Sequence, residues 1–435
     1  LPTTVATDVS DETVAVIMEN MDSLQGVDVS QDTVRVYADS KYFSLILGYT
    51  GKGSAEEIEA LQEENEEYTT SDIIGKSGIE QYMETTLRGD NGSETMFVNN
   101  MGKVLEITDH TEPTAGDDVY LSIDADLQKA AYDILEQKIA GILLSKLENT
   151  KEYIASENST ASDIKIPIYD VYYALINNNV LQVSDFQDEN ASDLEKSTYQ
   201  KFLSRQDSVL ASVESLLTNS QAAAYQDSTS EQKEYMSYIV NDLLTDGGVI
   251  DSSKIDTEDE TYIAWRQEET INIYTYLNYV ISMNWIVTSQ FLDDAQYLDA
   301  SEVYQALVQY IVDELSTDVG FDKLIYKYMI QNDILTGTEI CLLLFEQRIL
   351  SYDEEAVSQL ESGELSAYEF LREKIRTLEI TPAQLALDPC SGSVVIVDPQ
   401  TGELLVLVSY PGYDNNRLAN TVDSEYFALL TQDLS

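Results

Sequence analysis

Serines followed by a lysine three positions later are the first residues in this chain whose spacing could support chemistry. On a helix, a lysine one turn from a serine can lie beside its hydroxyl and assist nucleophilic attack. Ser162-Asp-Ile-Lys165 and Ser230-Glu-Gln-Lys233 have this spacing, and Ser156-Glu-Asn158 and Lys76-Ser-Gly78 match two further short patterns of serine enzymes. Patterns this short often occur by chance, so the elements around them must decide whether any of them is a site.

Histidine and cysteine limit the other kinds of catalysis. His110 is the single histidine, which excludes a multi-histidine metal site and allows Ser-His-Asp or Cys-His catalysis only with His110 as the base. It lies in the polar, pre-proline stretch 108–113, so we expect a surface residue in a loop. Cys341 and Cys390 can form at most one disulfide, and we expect two buried free thiols instead. These residue types predict neither a metal nor a cofactor.

The composition is strongly acidic. Asp and Glu number 79 against 24 Lys and Arg, which gives a formal net charge of −55. Such a field repels nucleic acid and anionic lipid, so neither is expected as a partner. With 435 residues, of which 43% are hydrophobic, the chain can form two or three domains with apolar cores.

Membrane and export signals are missing from the sequence. No apolar run reaches the roughly 18 residues that suggest a membrane-spanning helix. The first residues, Leu1-Pro-Thr-Thr-Val5, lack the charged and apolar regions of a signal peptide. We therefore expect either a cytosolic protein or one whose membrane anchor is missing from this chain.

Residues 1 to about 120 mix helix and strand patterns. Four apolar residues share one face of a predicted helix that ends at Gly26: Val14, Ile17, Met18 and Met21. Glutamates crowd the stretch 54–68, which we interpret as a solvated helix face or loop rather than a calcium or docking site. Alternating or apolar runs predict five strands: Val27–Val29, Thr33–Tyr37, Met96–Asn99, Lys103–Ile107 and Val119–Ile123. Asn99-Asn-Met-Gly102 is the predicted turn between the third and the fourth.

A helix is predicted from Asp126 onward, and the pattern stays helical to about residue 388. Tyrosine-rich amphipathic stretches in this region could line a ligand groove, but packing between helices is the simpler interpretation. Near its end, capping boxes recur every 15 residues and predict four short helices, with caps at Thr336, Ser351, Ser366 and Thr381.

After residue 390 the period changes from helix to strand. Two dense apolar runs flank Asp398-Pro-Gln-Thr-Gly402, in which proline and glycine favour a turn. The segment 393–409 therefore predicts a β-hairpin with buried strands. Asp398 is interpreted as a turn former rather than as an acid.

Three stretches together resemble class B penicillin-binding proteins. Gly75–Gly89 is similar to the pedestal signature of that family, Gly-Ile-Glu, an aromatic residue and Leu-Arg-Gly. Gly116–Ala131 resembles the strand and helix that lead into the transpeptidase domain, and Gly392–Asp414 resembles the first hairpin of the central sheet of that domain. Glu80 and Arg88 are two helical turns apart, so one helix face could carry both, and an ion-pair or capping role is expected there rather than catalysis. The structural signature taken from these stretches is Gly78, Ile79, Glu80, Tyr82, Leu87, Arg88, Gly89, Asp124, Leu127, Gln128, Asp398, Pro399 and Gly402.

The resemblance implies an α+β fold in four parts. They are a pedestal (dimerisation-type) domain over residues 1–120, a linking helix over 121–140, a large all-α insertion over 141–388, and the start of the transpeptidase domain over 389–435. In the family, a serine attacks the D-Ala-D-Ala stem peptide of peptidoglycan, and β-lactams acylate the same serine. Ser162 and Ser230 precede the hairpin and lack the Pro-Gly-Ser-Thr-Phe-Lys surroundings of that serine. We therefore expect the nucleophile beyond this chain and no catalytic residue within it.

The sequence departs from the family pattern in two places. The membrane helix and the Arg-Gly-x-Ile-x-Asp-Arg-x-Gly segment are not found, and the helical insertion stands where a short connection is expected. The resemblance implies a parent enzyme anchored at the extracytoplasmic face of the bacterial cell membrane, with peptidoglycan and cell-wall synthesis proteins as its partners. The insertion could shield the sheet, brace the pedestal or dock a partner.

Two other functions remain open. One is a stand-alone scaffold or interaction protein of the cell envelope that works through the helical insertion. The other is a helical ligand-binding module, which predicts a well-formed concave pocket within residues 140–385.

Overall fold

The computed structural model describes residues 5–6, 9–21, 23–24, 26–27, 29, 34–63, 65, 68–98, 104–154, 160, 163–292, 298–419 and 422–431. The chain divides into two compact units. We call residues 1–136 together with 391–435 the terminal unit, and residues 137–390 the helical unit. Within the described ranges, no helix has the length and apolar character needed to cross a membrane.

The terminal unit mixes helices with two-stranded sheets. Its helices are α1 (Asp11–Glu19), α2 (Ser40–Leu47), α3 (Ala55–Gln62), α4 (Gly78–Tyr82), α5 (Glu84–Leu87), the first part of α6 (Ala125–Lys146) and α18 (Ser424–Thr431). Its strands form three antiparallel pairs: β1 (Thr50–Lys52) with β2 (Ile73–Gly75), β3 (Ser93–Val98) with β4 (Val104–Thr111), and β7 (Gly392–Val397) with β8 (Leu404–Tyr410). A 3₁₀ turn follows the last pair at Asn415–Arg417.

The helical unit contains the rest of α6 and one short parallel pair, β5 (Leu147–Glu148) with β6 (Ile166–Pro167). Its other helices are α7 (Ile168–Asn177), α8 (Asp193–Thr218), α9 (Ser230–Tyr238), α10 (Glu260–Arg266), α11 (Ile273–Ser282), α12 (Ala300–Leu315), α13 (Val319–Gln331), α14 (Gly337–Glu346), α15 (Glu354–Ser362), α16 (Ala367–Arg376) and α17 (Pro382–Leu385). A π-helix over Ile239–Asp246 continues α9, and 3₁₀ turns lie at Val183–Gln187, Tyr225–Asp227, Ser252–Lys254 and Thr288–Gln290. The predicted α+β class, with a long helical stretch and a C-terminal hairpin, is confirmed.

The two units differ in the apolar clusters inside each of them. In the helical unit one apolar cluster extends from Ala140 to Leu385, and its aromatic rings stack inside it, as Phe202 does on Tyr326 with ring centres 4.7 Å apart. In the described part of the terminal unit, Ile58, Tyr68 and Ile74 form a small cluster, and Val406, Val408 and Tyr410 of β8 are buried as well. Burial of apolar surface is therefore the main stabilising term of the helical unit.

Four helices in the C-terminal part of the helical unit, α13 to α16, end in the same way. A backbone N–H reaches back six residues to a carbonyl four times at 15-residue intervals: Leu335 to Met329, Leu350 to Leu344, Leu365 to Gln359 and Ile380 to Lys374. The residue two positions before each of these donors is left-handed: Asp333, Arg348, Gly363 and Leu378. The N–H of each left-handed residue also donates to the carbonyl three residues back, as from Arg348 to Phe345 and from Gly363 to Leu360. A left-handed residue with this bond occupies the C′ position of a Schellman-type helix end, which satisfies carbonyls of the last turn. The four short helices follow from this repeat together with their caps.

Several local predictions were wrong. The predicted second cap, Ser351, is replaced by Asp353, whose carboxylate accepts from the N–H groups of Glu355 and Ala356. The first helix ends at Glu19 rather than at Gly26. The predicted turn at 99–102 and part of the strands beside it lie outside the described residues.

Three predicted strands are also missing from the described residues, which show no strand at 27, 29, 34–37 or 119–123. The Tyr37 N–H donates instead to Asn416 Oδ1 at 2.8 Å, and the Ser122 hydroxyl donates to the Leu404 carbonyl at 2.7 Å. The β7–β8 pair is buried on one face only, because Val395 and Val397 are 58% and 48% exposed.

Candidate functional site

The Gly-Ile-Glu segment begins α4 at a point where two backbone segments touch. Gly78 has φ +61°, and a Cβ added to it would lie 2.6 Å from Gly48 N and from Ile46 O. Gly48 is left-handed as well, and a Cβ added there would overlap the Ser77 carbonyl. The close approach therefore requires glycine on both segments.

Glu80 is the buried partner of an ion pair with Arg35, whose side chain is 41% exposed. Its carboxylate binds both Nε of Arg35 at 2.8 Å and Nη2 of Arg35 at 2.9 Å, and the residue is 7% exposed. Burial, followed by the charge of Glu80, raises the pKa of Tyr37 to about 12. Ile79 is half-buried, whereas Tyr82 is 84% exposed, so packing gives no reason for an aromatic residue at that position.

Arg88 has partners different from those of Glu80. Its Nη2 lies 2.9 Å from Asp72 Oδ2, and its guanidinium carbon lies 3.8 Å from the centre of the Tyr68 ring. The two charged residues do not share one helix, because α4 ends at Tyr82 and α5 ends before Arg88. Each of them joins the signature segment to an earlier part of the chain.

The Leu-Arg-Gly end of the signature is fixed by a second close approach. Gly89 has φ +71°, and a Cβ added to it would overlap the carbonyl of Thr114. Asp90 and Thr114 exchange two backbone hydrogen bonds of 3.1 and 3.0 Å. Leu87 is half-buried, and its carbonyl leaves no room for a side chain at Gly116.

Glu84 is a buried residue of this site that sequence reasoning missed. It is 8% exposed, and its carboxylate accepts from Gly75 N at 2.7 Å and from the Tyr68 hydroxyl at 3.2 Å. Burial, followed by the charge of Glu84, raises the pKa of Tyr68 to about 12. Its place inside the signature was the only available signal, since exposed glutamates are common throughout this chain.

Gln128 acts as a substitute strand partner for β8. Its side-chain amide donates to the carbonyl of Leu407 at 2.9 Å and accepts from the N–H of Leu407 at 2.9 Å, and it also donates to the Tyr42 carbonyl at 3.0 Å. Asp124 caps α6 by accepting from Leu127 N, and its own N–H donates to Leu405 O at 3.0 Å. The outer edge of β8 is therefore covered by the start of α6.

Leu127, the third signature residue of this segment, is 38% exposed. Leu127 takes part in the cap through its backbone N–H, and its side chain is not buried. The side chain of Gln128, in contrast, is only 1% exposed.

Asn416 repeats this bidentate amide contact after the hairpin, Asn415 binds beside it, and no sequence pattern predicts either contact. Asn415 is fully buried, donates to Gly48 O at 2.7 Å and accepts from the Ser40 hydroxyl at 2.5 Å. Asn416 pairs with both backbone groups of Tyr37, accepting its N–H at 2.8 Å and donating to its carbonyl at 3.0 Å. These two amides join the C-terminal segment to the region before the signature.

The turn of the hairpin is formed as its residues suggest. Asp398 Oδ1 accepts from Gln400 N at 2.7 Å and from Thr401 N at 3.2 Å, and Pro399 lies between them in the chain. Gly402 has φ +78° with open space around it, so it is required for its backbone conformation alone. Asp398 thus serves the turn and has no acid–base partner in it.

None of the serine patterns shows a serine–lysine pair in the described residues. Lys233 Nζ binds Glu269 at 3.0 Å, and Lys76 Nζ binds Glu57 at 2.6 Å. Ser156, Asn158 and Ser162 lie outside those residues.

His110 lies on strand β4 rather than in the predicted loop. Its ring nitrogens are 2.8 Å from Glu94 and from Glu112, and hydrogen bonding to Glu112 first, then to Glu94, raises the pKa of His110. Cys341 is buried and Cys390 half-buried, and both thiols are free. Burial raises the pKa of both. Across the described ranges no cluster of three His, Cys, Asp or Glu could hold a metal.

The described part of the helical unit has a polar groove near its C-terminal helices. A depression of about 960 Å³ is lined by residues of α15, α16 and their loops, chiefly Tyr352, Asp353, Glu355, Glu364 and Lys374. Tyrosines of the tyrosine-rich amphipathic stretches, such as Tyr235 and Tyr276, lie in the core. The geometry gives the ligand-binding hypothesis no specific support.

Comparisons with known proteins agree with the signature. Residues 1–121 match the Penicillin-binding Protein dimerisation domain. Peptidoglycan D,D-transpeptidase MrdA of Escherichia coli (strain K12) is 31% identical over 143 residues, which are 32% of this chain and 23% of that protein. Penicillin-binding protein 2A of Bacillus subtilis (strain 168) is 32% identical over 134 residues, which are 30% of this chain and 19% of that protein.

The MrdA protein of Haemophilus influenzae is 36% identical over 103 residues, which are 23% of this chain and 16% of that protein. The chain therefore matches less than a quarter of the length of these relatives. Residues 1–121 contain the Gly-Ile-Glu and Leu-Arg-Gly contacts described above. This part of the chain is thus a pedestal region of the penicillin-binding-protein dimerisation type.

Proposed function

We propose that this chain is the non-catalytic part of a membrane-anchored penicillin-binding protein that cross-links peptidoglycan stem peptides by serine acyl transfer. In this proposal the Ser-x-x-Lys nucleophile lies beyond the chain, and the protein works on the extracytoplasmic face of the bacterial cell membrane with other cell-wall synthesis proteins. The names of the relatives, peptidoglycan D,D-transpeptidases and a penicillin-binding protein, support this chemistry.

The unequal edges of the β7–β8 hairpin carry the proposal. The edge of β8 is covered by Gln128 and Asp124, whereas no third strand pairs with β7 within the described residues. The uncovered face is apolar, with Val395 58% and Leu407 40% exposed. A hairpin closed on one edge and open on the other suits the first two strands of a larger sheet.

The four predicted parts fit this proposal. Residues 1–120 would be the pedestal, 121–140 the linking helix, 141–388 the insertion, and 389–435 the start of the transpeptidase domain. The hairpin shares one compact unit with the signature segment although they are far apart in sequence. This arrangement supports a pedestal that holds the first strands of the catalytic domain.

Labelling with a fluorescent penicillin tests the proposal. The full product of the gene should be labelled covalently, and an excess of unlabelled penicillin should prevent the labelling. The chain of residues 1–435 should remain unlabelled under the same conditions. Labelling of a serine within residues 1–435 would show that the nucleophile lies inside this chain rather than beyond it. A full product that is not labelled would contradict the proposed transpeptidase function.

A scaffold working through the helical insertion remains the second candidate. The observation in its favour is that the helical unit has an extensive apolar core of its own. Deleting residues 141–388 from the full gene product separates the two functions. Normal cell-wall growth with unchanged penicillin labelling would count against the scaffold, whereas a growth defect despite normal labelling would support it.

A further inference from the structure

The β3–β4 hairpin exposes both of its faces. Its two strands pair only with each other in the described part of the chain, and residues 91–97 and 106–113 are all exposed. An isolated two-stranded hairpin is at best marginally stable in water, because it buries little apolar surface. A hairpin that nevertheless carries exposed large apolar side chains is a candidate for binding another chain.

The two faces of the hairpin differ in chemistry. On one face Phe97, 62% exposed, lies opposite Glu106, and the neighbouring pair on that face is Thr95 with Asp109. We call this the acidic-aromatic face. It combines an accessible ring with two carboxylates, which is an arrangement that favours lysine or arginine side chains.

The opposite face is apolar at its centre. There Met96, 41% exposed, lies opposite Ile107, 52% exposed. The next pair along this face is Glu94 with His110, and the imidazole binds both Glu94 and Glu112 at 2.8 Å. The centre of this face, formed by Met96 and Ile107, therefore favours apolar side chains of a partner.

The two edges of the hairpin also differ. The register shifts twice, which places Thr108 and Leu105 as extra residues in β4, while β3 stays regular. Bulges discourage further pairing at the edge of the strand that contains them. The regular edge of β3 is the better template for an added strand.

We propose that the edge of β3 is a docking site for an extended segment of a partner protein in which basic and apolar residues alternate. Side chains of an added strand point alternately to the two faces. Basic residues would meet Phe97, Glu106 and Asp109, and apolar residues would lie beside Met96 and Ile107. A second copy of the same acidic hairpin would be repelled, so charge complementarity selects a basic partner.

A synthetic peptide of alternating lysine and valine tests the proposal on the purified chain. Its binding is measured by fluorescence anisotropy at about 0.15 M salt, where long-range attraction is screened. The control peptide has the same composition with all lysines in one block and all valines in another. The alternating peptide should bind about tenfold more tightly than the block peptide, and hydrogen exchange should show new protection of amides in β3.

Variants locate the peptide on the chain. The double substitution Phe97→Ser with Glu106→Gln should weaken binding about tenfold. The matched control is Tyr120→Ser with Asp118→Asn, which removes another exposed ring and carboxylate outside the hairpin. Circular dichroism should be unchanged in both, because all four residues are exposed.

Four outcomes would overturn the proposal. Equal binding of the alternating and block peptides, or equal weakening by the control variant, would show only general attraction to a chain of net charge −55. Undiminished binding of a peptide in which every backbone amide is N-methylated, so that neither edge can pair, would exclude strand addition. Self-association of the chain that Phe97→Ser abolishes would replace the basic partner with a second copy. None of these assays involves penicillin or peptidoglycan, so their results are independent of the proposed function.

Discussion

The terminal unit and the helical unit use different forces to bring distant residues together. In the helical unit, a continuous apolar core and repeated helix ends connect neighbouring segments of the chain. In the terminal unit, side-chain amides bind backbone groups hundreds of positions away, as Gln128 does at Leu407 and Asn416 at Tyr37. Packing tolerates many apolar residues, whereas a bidentate amide contact requires one residue type in one place.

This contrast explains where the family signature lies. The segments that resemble penicillin-binding proteins are those in which glycines allow close approach and polar side chains make specific pairs, such as Gly78 and Glu80. The helical unit needs only apolar periodicity and caps to fold. Four predictions test the contrast, and they are ordered from the largest expected effect on stability to the smallest.

The largest effect is expected from a cavity in the core of the helical unit. Leu344 is fully buried in α14, so Leu344→Ala should lower the free energy of unfolding by about 2–5 kcal/mol. The control Val319→Ala, at a position 62% exposed, should change it by less than about 0.5 kcal/mol. Hydrogen exchange shows which unit has lost stability, because the amides of that unit lose protection. An equal loss of protection in both units would break the description of two separately stabilised bodies.

The next effect concerns the amide at the edge of β8. Gln128→Ala removes one acceptor and the donors to Leu407 and Tyr42, and should cost the terminal unit about 1–3 kcal/mol. Ile134→Ala, at a site 67% exposed on the same helix, is the control and should have little effect. Hydrogen exchange of Leu407 is the measurement. If its amide stays protected in Gln128→Ala, the side chain is not the partner that the structure indicates.

The sequence predicted what local signals determine. The caps at Thr336 and Thr381, the Asp398 turn and the start of α6 near Asp126 depend on residues a few positions apart. Where two local signals competed, at Ser351 and Asp353, the sequence alone did not indicate the choice, since both residues are good caps.

Long-range partners were beyond the sequence. The alternation at 33–37 predicts a strand, but the backbone groups of Tyr37 pair with the side chain of Asn416 instead. Burial of Glu84 and Asn415 likewise depends on segments far away in the chain. No periodicity distinguishes such residues from the exposed polar residues around them.

A carboxylate inside the helical unit predicts an unusual response to acid. Burial, partly offset by the Gln206 amide at 2.9 Å, raises the pKa of Asp322 to about 6. Its pKa in the unfolded chain is near 3.9, so the ionised form destabilises the fold above pH 6, and this cost disappears as the pH falls towards 4. Asp322→Asn should therefore stabilise the unit by about 1–2 kcal/mol at pH 7, a figure that allows for partial exposure.

Denaturant unfolding followed by circular dichroism at pH 7 and pH 4 measures this difference. The stabilisation by Asp322→Asn should vanish near pH 4. Asp207→Asn removes the same charge from an exposed position of α8 and should show no such dependence. If both variants respond alike, the effect comes from the net charge of the chain rather than from burial.

The smallest effect tests the repeat itself. Arg348 and Gly363 occupy the same left-handed position after α14 and α15, with φ +57° and +76°, and Arg348 is exposed. A residue with a Cβ costs about 1 kcal/mol in this conformation, so Arg348→Gly should stabilise the unit by up to about 1 kcal/mol and Gly363→Arg should destabilise it similarly. Open space around Gly363 means that sterics outside its own backbone do not contribute. Because the two sites are equivalent in the repeat, the double variant that exchanges the residues should unfold like the natural chain in denaturant. A double variant clearly less stable than that chain would show that the two helix ends are not interchangeable, and that their surroundings, rather than the local turn, set the 15-residue period.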